Sequence, residues 1–217
     1  MKGRINLDKK VRAIDVESNR SISDLLKIME NTGFQGKNLA KVVTVLEHMS
    51  KDPNITILFG YAGSLSTTGQ WKIINWFLEN NLIDILVPTG ANISEDIVEA
   101  MGGSYIQSSH NSPDEELFKR GYNRYYDIIG SEKEYLDMTE LIAEFVPTLD
   151  DKYNYSSREF LYLFGLWLSD KKIESIVSVA AKNNIPIFCP AFPDSPYGDA
   201  ALIANAKGFN LTIDSIK

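Results

Sequence analysis

The chain has few of the residues that disulfide and metal chemistry require. Among its 217 residues there is one cysteine, Cys189, which excludes an internal disulfide. The only histidines are His48 and His110, which excludes a multi-histidine metal site. No apolar run approaches the roughly 20 residues that span a membrane, and no signal-peptide-like apolar stretch follows the first residues. We therefore expect a cytoplasmic protein without a membrane segment or a resident metal.

Positive charge is scarce beyond the first part of the chain. Residues 1–60 carry 10 Lys or Arg against 7 Asp or Glu, whereas the remainder carries 12 basic and 22 acidic residues, within a net charge of −7. Such a surface repels phosphate backbones, so no nucleic-acid partner is predicted. The acidic bias favours cationic ligands or a basic protein partner. The alternative interpretation is that this charge only keeps the protein in solution.

The apolar pattern predicts an α/β fold. Residues 55–59 and 83–87 are apolar, β-rich runs, and each leads through a small-residue turn into a helix, which is typical of a parallel sheet. Residues 185–189 and 209–213 are the third and fourth candidate strands. We expect a doubly wound, mainly parallel, Rossmann-like sheet that is incomplete at the C-terminus, because no helix follows the last strand.

Helices are predicted around these strands from helical spacing and capping residues. They are expected from Ser21 onward and over residues 36–49, 68–80, 94–101, 115–120, 132–145, 160–168, 173–182 and 200–206. Residues 1–20 are expected to form an arm or a short strand. The whole chain, residues 1–217, is thus predicted to be one domain, with an arm and helices over residues 1–50 and an α/β core over residues 51–217.

Ligands of open α/β sheets bind beyond the carboxyl ends of the strands. Residues 60–69 are rich in small residues but match neither GxGxxG nor a Walker A loop, so they fit a phosphate site or a plain turn. Residues 89–96 fit a second ligand loop or an N-cap with acids that stabilise the helix dipole. Residues 194–199 hold two acids, which fit a ribose or amine site, or turn and cap positions.

No nucleophile with a neighbouring base is recognisable in the sequence, so no catalytic residue is predicted. Cys189 ends a predicted strand, which favours a buried and inert thiol. His110 lies in a polar loop and His48 in a helix, and both are interpreted as surface residues.

Five segments, taken in order, carry a resemblance to a known family. They are Thr-Gly-Phe-Gln-Gly-Lys-Asn-Leu at 32–39, the turn at 60–69, Val-Pro-Thr-Gly-Ala-Asn at 87–92, Arg-Gly-Tyr-Asn-Arg at 120–124, and residues 185–199. Together they resemble deoxyhypusine synthase. The resemblance implies a doubly wound, usually tetrameric transferase. Such an enzyme uses NAD to oxidise spermidine and passes the aminobutyl group through its own lysine to a lysine of the translation factor 5A precursor.

The resemblance also implies site residues at matched positions. The implied NAD contacts are Gly63, Ser64, Leu65, Ser66, Thr67, Thr89, Gly90, Ala91, Glu95 and Asp194. Glu95 and Asp199 would hold the polyamine, whose ammonium groups need fixed carboxylates. Ser94 stands where many members carry an acid or a histidine, which leaves the substrate open.

The chain departs from the family beyond the last predicted strand. The family's catalytic lysine and a Gly-rich, histidine-containing segment lie downstream of residues 209–213, so this chain alone is expected to be inactive. An open sheet edge at residues 209–213 would favour a homo-oligomer or a partner subunit. The alternatives are part of a split aminobutyl transferase, a non-catalytic or regulatory subunit, and a relative of homospermidine-type synthases.

Overall fold

Two helices form the first of two units into which the chain divides, Met1–Ile55 and Thr56–Lys217. The computed structural model describes residues 9–16 and 19–217, so part of the predicted arm at residues 1–20 lies outside the described residues. In this unit α1 (Ile22–Met29) packs against α2 (Phe34–Met49). The Ser21 hydroxyl accepts the Asp24 N–H at the start of α1, which confirms the predicted cap.

Parallel pairing begins the second unit. Strand β1 (Leu58–Tyr61) pairs in parallel with β2 (Ile85–Pro88). Residues 185–188 lie along the other side of β2, where the Leu86 N–H donates to Pro186 O at 3.0 Å and the Phe188 N–H donates to Leu86 O at 2.9 Å. The third predicted strand is therefore in place, but its pairing is limited to a single parallel bridge.

An antiparallel sheet occupies a region where no strand was predicted. It consists of β3 (Tyr105–Gln107), β4 (Tyr122–Tyr125) and β5 (Ile128–Ser131), in the order β3-β5-β4. The β4–β5 hairpin turns at Tyr126, which has φ 59°, instead of at an Asn-Gly or Asp-Gly pair. The usual sequence signal of a tight hairpin is thus missing from this turn.

The last predicted strand lies in a different sheet from the one expected. Only Thr212–Ile213 is extended, as β7, and it pairs in parallel with β6 (Asn154–Tyr155). The prediction that residues 209–213 continue the sheet of β1 and β2 is therefore wrong. Strands β6 and β7 are more than 50 residues apart in the sequence, and local periodicity does not predict which distant segments pair.

Helices between the strands build the core of the second unit. They are α3 (Trp71–Glu79), α4 (Asp96–Ala100), α5 (Asp114–Lys119), α6 (Glu132–Phe145), α7 (Ser157–Asp170), α8 (Ile176–Lys182) and α9 (Pro196–Ala206), with 3-10 turns at Ala91–Ile93 and Val146–Thr148. Each predicted helix of this unit is confirmed, and α6 has the predicted bounds. Helices α7 and α8 approach closely at Gly165, where a Cβ would overlap the backbone of Val177.

The two faces of the parallel strands differ in burial. Phe59, Leu86 and Ile187 are paired neighbours on one face and belong to the core or pack against it. On the opposite face Leu58 is 61% exposed and Phe188 is 41% exposed. The α/β class is confirmed, whereas the doubly wound arrangement, which needs helices on both faces, stays a prediction. Within the described residues no helix has the length and apolarity to cross a membrane.

Candidate functional site

The loops after β1 and β2 are joined by one amide side chain. Asn92 accepts the Leu65 N–H through Oδ1 at 2.8 Å, and its backbone carbonyl accepts the Ser66 hydroxyl at 2.7 Å. Its Nδ2 donates to Thr89 Oγ1 at 2.7 Å. Through these contacts Asn92 holds the first loop against the second. The sequence prediction did not assign this residue a role.

The loop that follows residues 185–188 packs against the loop after β2. Gly90 faces Ser195 so closely that a Cβ at Gly90 would overlap the Ser195 side chain. The buried Tyr197 hydroxyl donates to Ile93 O at 2.5 Å. The three loops therefore meet at the carboxyl ends of neighbouring parallel strands, as the α/β rule predicts. Asp194 lies beside Ser195 in this junction and is exposed.

The first loop presents free backbone donors. Gly63 and Ser64 have φ of 94° and 50°, and a Cβ at Gly63 would meet open space. In the described part of the chain, no hydrogen bond uses the N–H groups of Gly63, Ser64, Ser66 or Thr67. Successive unpaired N–H groups at a strand end are suited to bind an anionic group. A left-handed Ser64 also stores strain of the kind found at ligand sites.

Two predicted contact residues of this loop shape it through their side chains. The Ser66 hydroxyl is used on the backbone of Asn92, and the Thr67 hydroxyl donates to Ser64 O at 3.1 Å. Both side chains are buried. Their hydroxyl groups therefore hold the loop conformation, and the backbone provides the free donors.

Glu95 is a buried acid at the point where the loops meet. It is 4% exposed, and its Oε2 accepts the Ser64 hydroxyl at 3.5 Å. Burial raises the pKa of Glu95 to about 7, although the Ser64 hydrogen bond opposes that shift. No ion pair with a basic side chain compensates this carboxylate in the described part of the chain. Glu95 is thus a site where a cation from outside the chain would be stabilised.

Three tyrosines line the surroundings of Glu95. The Tyr105 hydroxyl donates to Glu95 O at 3.0 Å, and the Tyr105 and Tyr125 rings meet edge to face at 6.2 Å. Burial, with the charges of Glu95, Asp199 and other acids, raises the pKa of Tyr135 to about 12. The charges of the two predicted polyamine residues, Glu95 and the exposed Asp199, therefore both act on Tyr135.

The tyrosines themselves were missed by the sequence prediction. Tyr105 and Tyr125 lie on β3 and β4 of the unpredicted antiparallel sheet, and Tyr135 lies on α6. A pattern of aromatic residues in an irregular region gives no signal that they share one site. Only the hairpin and its pairing with β3 bring Tyr105 and Tyr125 to Glu95.

Asp96 is a second buried acid, and it lies beside the site. Its Oδ2 accepts the Ile176 N–H at the start of α8 at 2.6 Å, whereas Oδ1 has no partner among the described residues. Burial raises the pKa of Asp96 to about 7. The hydroxyl of Tyr61 is likewise buried without a partner, and burial and Asp96 both raise the Tyr61 pKa. Asp96 was interpreted only as an acid near a helix N-terminus.

Other candidate residues lie elsewhere or have inert surroundings. Cys189 is buried, and burial raises its pKa to about 11, which agrees with the predicted inert thiol. His110 stacks on the Tyr126 ring at 5.6 Å, and His48 lies on α2. A cavity of about 250 Å³ lies between α7, α8 and residues 185–187 and contains none of the predicted site residues.

The geometry is that of an α/β protein with a ligand site at its strand ends. The second unit is an α/β structure whose strand-end loops combine free backbone donors, a buried uncompensated acid and an aromatic wall. That combination suits a ligand with both anionic and cationic groups.

Comparison with known proteins places the chain in a family. A family model described as "Deoxyhypusine synthase" matches residues 24–217. A "Probable deoxyhypusine synthase 2" from Methanosarcina acetivorans is 41% identical over 206 residues, which cover 94% of this chain and 59% of the relative. A "Deoxyhypusine synthase-like protein" from Coxiella burnetii is 33% identical and is matched over 89% of this chain and 56% of the relative. The chain belongs to the deoxyhypusine synthase family.

A solved structure supports the fold. The crystal structure of a "putative deoxyhypusine synthase" from Entamoeba histolytica matches with a TM-score of 0.64 at 22% identity, covering 94% of this chain and 70% of that one. At this identity the likeness concerns the fold alone. The chain spans less than two thirds of the length of the curated relatives described above.

Proposed function

We propose that the three strand-end loops bind NAD and a polyamine, and that the chain contributes this site to aminobutyl transfer from spermidine to a lysine of the translation factor 5A precursor. The observation that carries the proposal is Glu95, a buried carboxylate without a basic partner in the described residues, at the junction of the loops. Family membership supplies the reaction class.

The first loop fits the anionic part of NAD. The free N–H groups of Gly63 and Ser64 would donate to phosphate oxygens, and the open space at Gly63 allows close approach of a ligand. Gly90 keeps the second and third loops together, so Thr89 and Ala91 border the same junction. Bound NAD would supply a hydride acceptor for oxidation of the amine.

The acids and tyrosines fit the cationic part of the substrate. An ammonium group beside Glu95 would favour the ionised carboxylate and lower its raised pKa. Asp199 would take a second ammonium group closer to solvent, because it is exposed and acts on the same Tyr135. Aromatic faces stabilise cations further. Charge-assisted contacts in a partly dry site hold the amine in one orientation.

Ser94 takes part in the loop structure. Its buried hydroxyl donates to Gly90 O at 3.1 Å, within the second loop. The Ser94 hydroxyl, at the position that differs from many family members, therefore has its hydrogen-bond partner within the second loop. The identity of the polyamine and of the acceptor amine remains open between deoxyhypusine-type and homospermidine-type chemistry. A non-catalytic or regulatory role, oligomeric assembly and a cytoplasmic location also stay predictions.

Titration with spermidine, with and without NAD, tests the proposal. Glu95→Gln and Asp199→Asn should each weaken spermidine binding about ten- to hundred-fold, because each removes a charge-assisted contact of roughly 1.5–3 kcal/mol. Asp170→Asn, at the exposed end of α7, is the matched control and should bind as the parent does. Binding by the parent should strengthen from pH 6 to pH 8, as Glu95 ionises near pH 7.

The pH dependence separates a binding role from a structural one. Glu95→Gln should bind weakly and with little change between pH 6 and pH 8. Equal affinities of the parent and both site variants would refute the assignment. If the acids act only as helix caps, the variants would lower stability by up to about 1 kcal/mol and leave binding unchanged.

A further inference from the structure

Two buried polar atoms lie on the core side of the loop junction. They are Oδ1 of Asp96 and the hydroxyl oxygen of Tyr61, and neither has a hydrogen-bond partner within residues 9–16 and 19–217. Asp96 is fully buried, and its other carboxylate oxygen accepts the Ile176 N–H. Buried polar side chains are nearly always hydrogen-bonded, so each of these two atoms is expected to bind a polar group.

The ends of the parallel strands bring these atoms into one buried cluster. Tyr61 pairs with Pro88 at the end of β2, and its ring stacks on Phe59 at 5.3 Å, on the side that packs against the core. Cys189 is buried at the end of the neighbouring third strand. Burial raises the pKa of Tyr61, and the charges of Asp96 and then of Cys189 raise it further. The carboxylate, the hydroxyl and the thiol are therefore close together.

A water molecule suits this pair of atoms better than a metal ion does. Asp96 and Tyr61 do not hydrogen-bond to each other, and water commonly bridges polar groups that are close but not in direct contact. An internal water needs only about two to four polar partners, whereas a hard cation such as Ca²⁺ takes about six to eight oxygen ligands. The Ile93 carbonyl already accepts the Tyr197 hydroxyl. Among the described residues no group of three or more His, Cys, Asp or Glu is arranged to hold a metal ion.

We propose that one internal water molecule bridges Asp96 Oδ1 and the Tyr61 hydroxyl on the core side of the three loops. Tyr61 stands two residues before Gly63 of the first loop, and Asp96 directly follows Glu95 at the end of the second. The bridge therefore joins these two loops where they leave the core, in addition to the contacts that Asn92 makes between them. Water fits either form of the acid, because it donates to a carboxylate and accepts from a carboxylic acid. The inference rests on the two buried atoms and is independent of the ligands proposed above.

A high-resolution crystal structure of the unaltered chain tests the bridge directly. We expect a single peak of electron density at about 2.6–3.2 Å from both Asp96 Oδ1 and the Tyr61 hydroxyl oxygen. The absence of a peak, or a direct hydrogen bond between Asp96 and Tyr61, would overturn the proposal. A peak surrounded by about six oxygen atoms at about 2.4 Å would also overturn it, because that geometry belongs to a cation.

Magnetic relaxation of ¹⁷O nuclei, which counts long-lived internal waters, tests the same site in solution. Tyr61→Phe removes one partner of the bridging water, so the count should fall by one relative to the parent. Tyr162→Phe is the matched control, because it removes a hydroxyl group from an exposed side chain of α7 and should leave the count unchanged. Equal counts for the parent and Tyr61→Phe would contradict the bridge. If Tyr61→Phe fails to fold, the crystal structure of the unaltered chain still decides.

Discussion

The two adjacent buried acids should make the protein less stable as the pH rises toward neutrality. Burial raises the pKa of Glu95 from 4.5 to about 7 and that of Asp96 from 3.8 to about 7. In the unfolded chain both groups lose their protons near pH 4, whereas the folded chain retains them until about pH 7. The folded state therefore binds more protons between these limits, and the free energy of unfolding falls as the pH increases.

The size of this effect follows from the width of the window. Each group contributes a slope of about 1.4 kcal/mol per pH unit while only the folded state is protonated. Between pH 5 and pH 7 that amounts to about 2 to 3 kcal/mol for each of Glu95 and Asp96. The pKa of Glu159 is lowered to about 2, chiefly by the Ser156 N–H and then by Lys217, so its titration is complete below this window.

Urea unfolding at pH 5, 6, 7 and 8 measures this slope. Asp96→Asn keeps an oxygen that can accept the Ile176 N–H but carries no charge, so it should resemble the protonated acid. We expect it to match the parent within about 1 kcal/mol at pH 5 and to exceed it at pH 8 by about 2 kcal/mol. Asp170→Asn controls for the loss of one surface charge. A parent whose stability is constant or rises from pH 5 to pH 7 would refute the reasoning.

Three further perturbations test the junction of the loops. Gly90→Ala should lower the free energy of unfolding in urea by about 1–3 kcal/mol, because the added Cβ would overlap the Ser195 side chain. Gly60→Ala is the control and should lower it less, because the atom nearest to a Cβ at Gly60 is Val87 O at 3.7 Å. Tyr197→Phe should lower the free energy of unfolding by about 1–2 kcal/mol, because it leaves the buried Ile93 carbonyl without its hydrogen-bond donor. An unchanged midpoint of urea unfolding would contradict this. Cys189 should resist thiol reagents at pH 8 until the chain is denatured, and rapid labelling of folded protein would contradict its raised pKa.

Features that depend on neighbouring residues were predictable from the sequence. Helix α6 follows the predicted bounds of 132–145, and Ser21 caps α1 as expected, because spacing and capping are local properties. The meeting of the three loops was also predictable. Parallel strands place their carboxyl ends at one edge, so residues 60–69, 89–96 and 194–199 converge once the strands are parallel.

The tertiary structure alone decided which side chains surround the acids. Glu95 is near Tyr105 and Tyr125 because an unpredicted hairpin pairs with β3, and nothing in the turn at Tyr126 signals that hairpin. Asp96 accepts the N–H of Ile176, which is 80 residues away. The strand at residues 212–213 joins β6 instead of the sheet of β1 and β2. These pairings, and the burial that raises the pKa values of the acids, depend on contacts between residues that are distant in sequence, so only the folded chain determines them. Periodicity and capping depend on near neighbours and are therefore already present in a short stretch of the sequence.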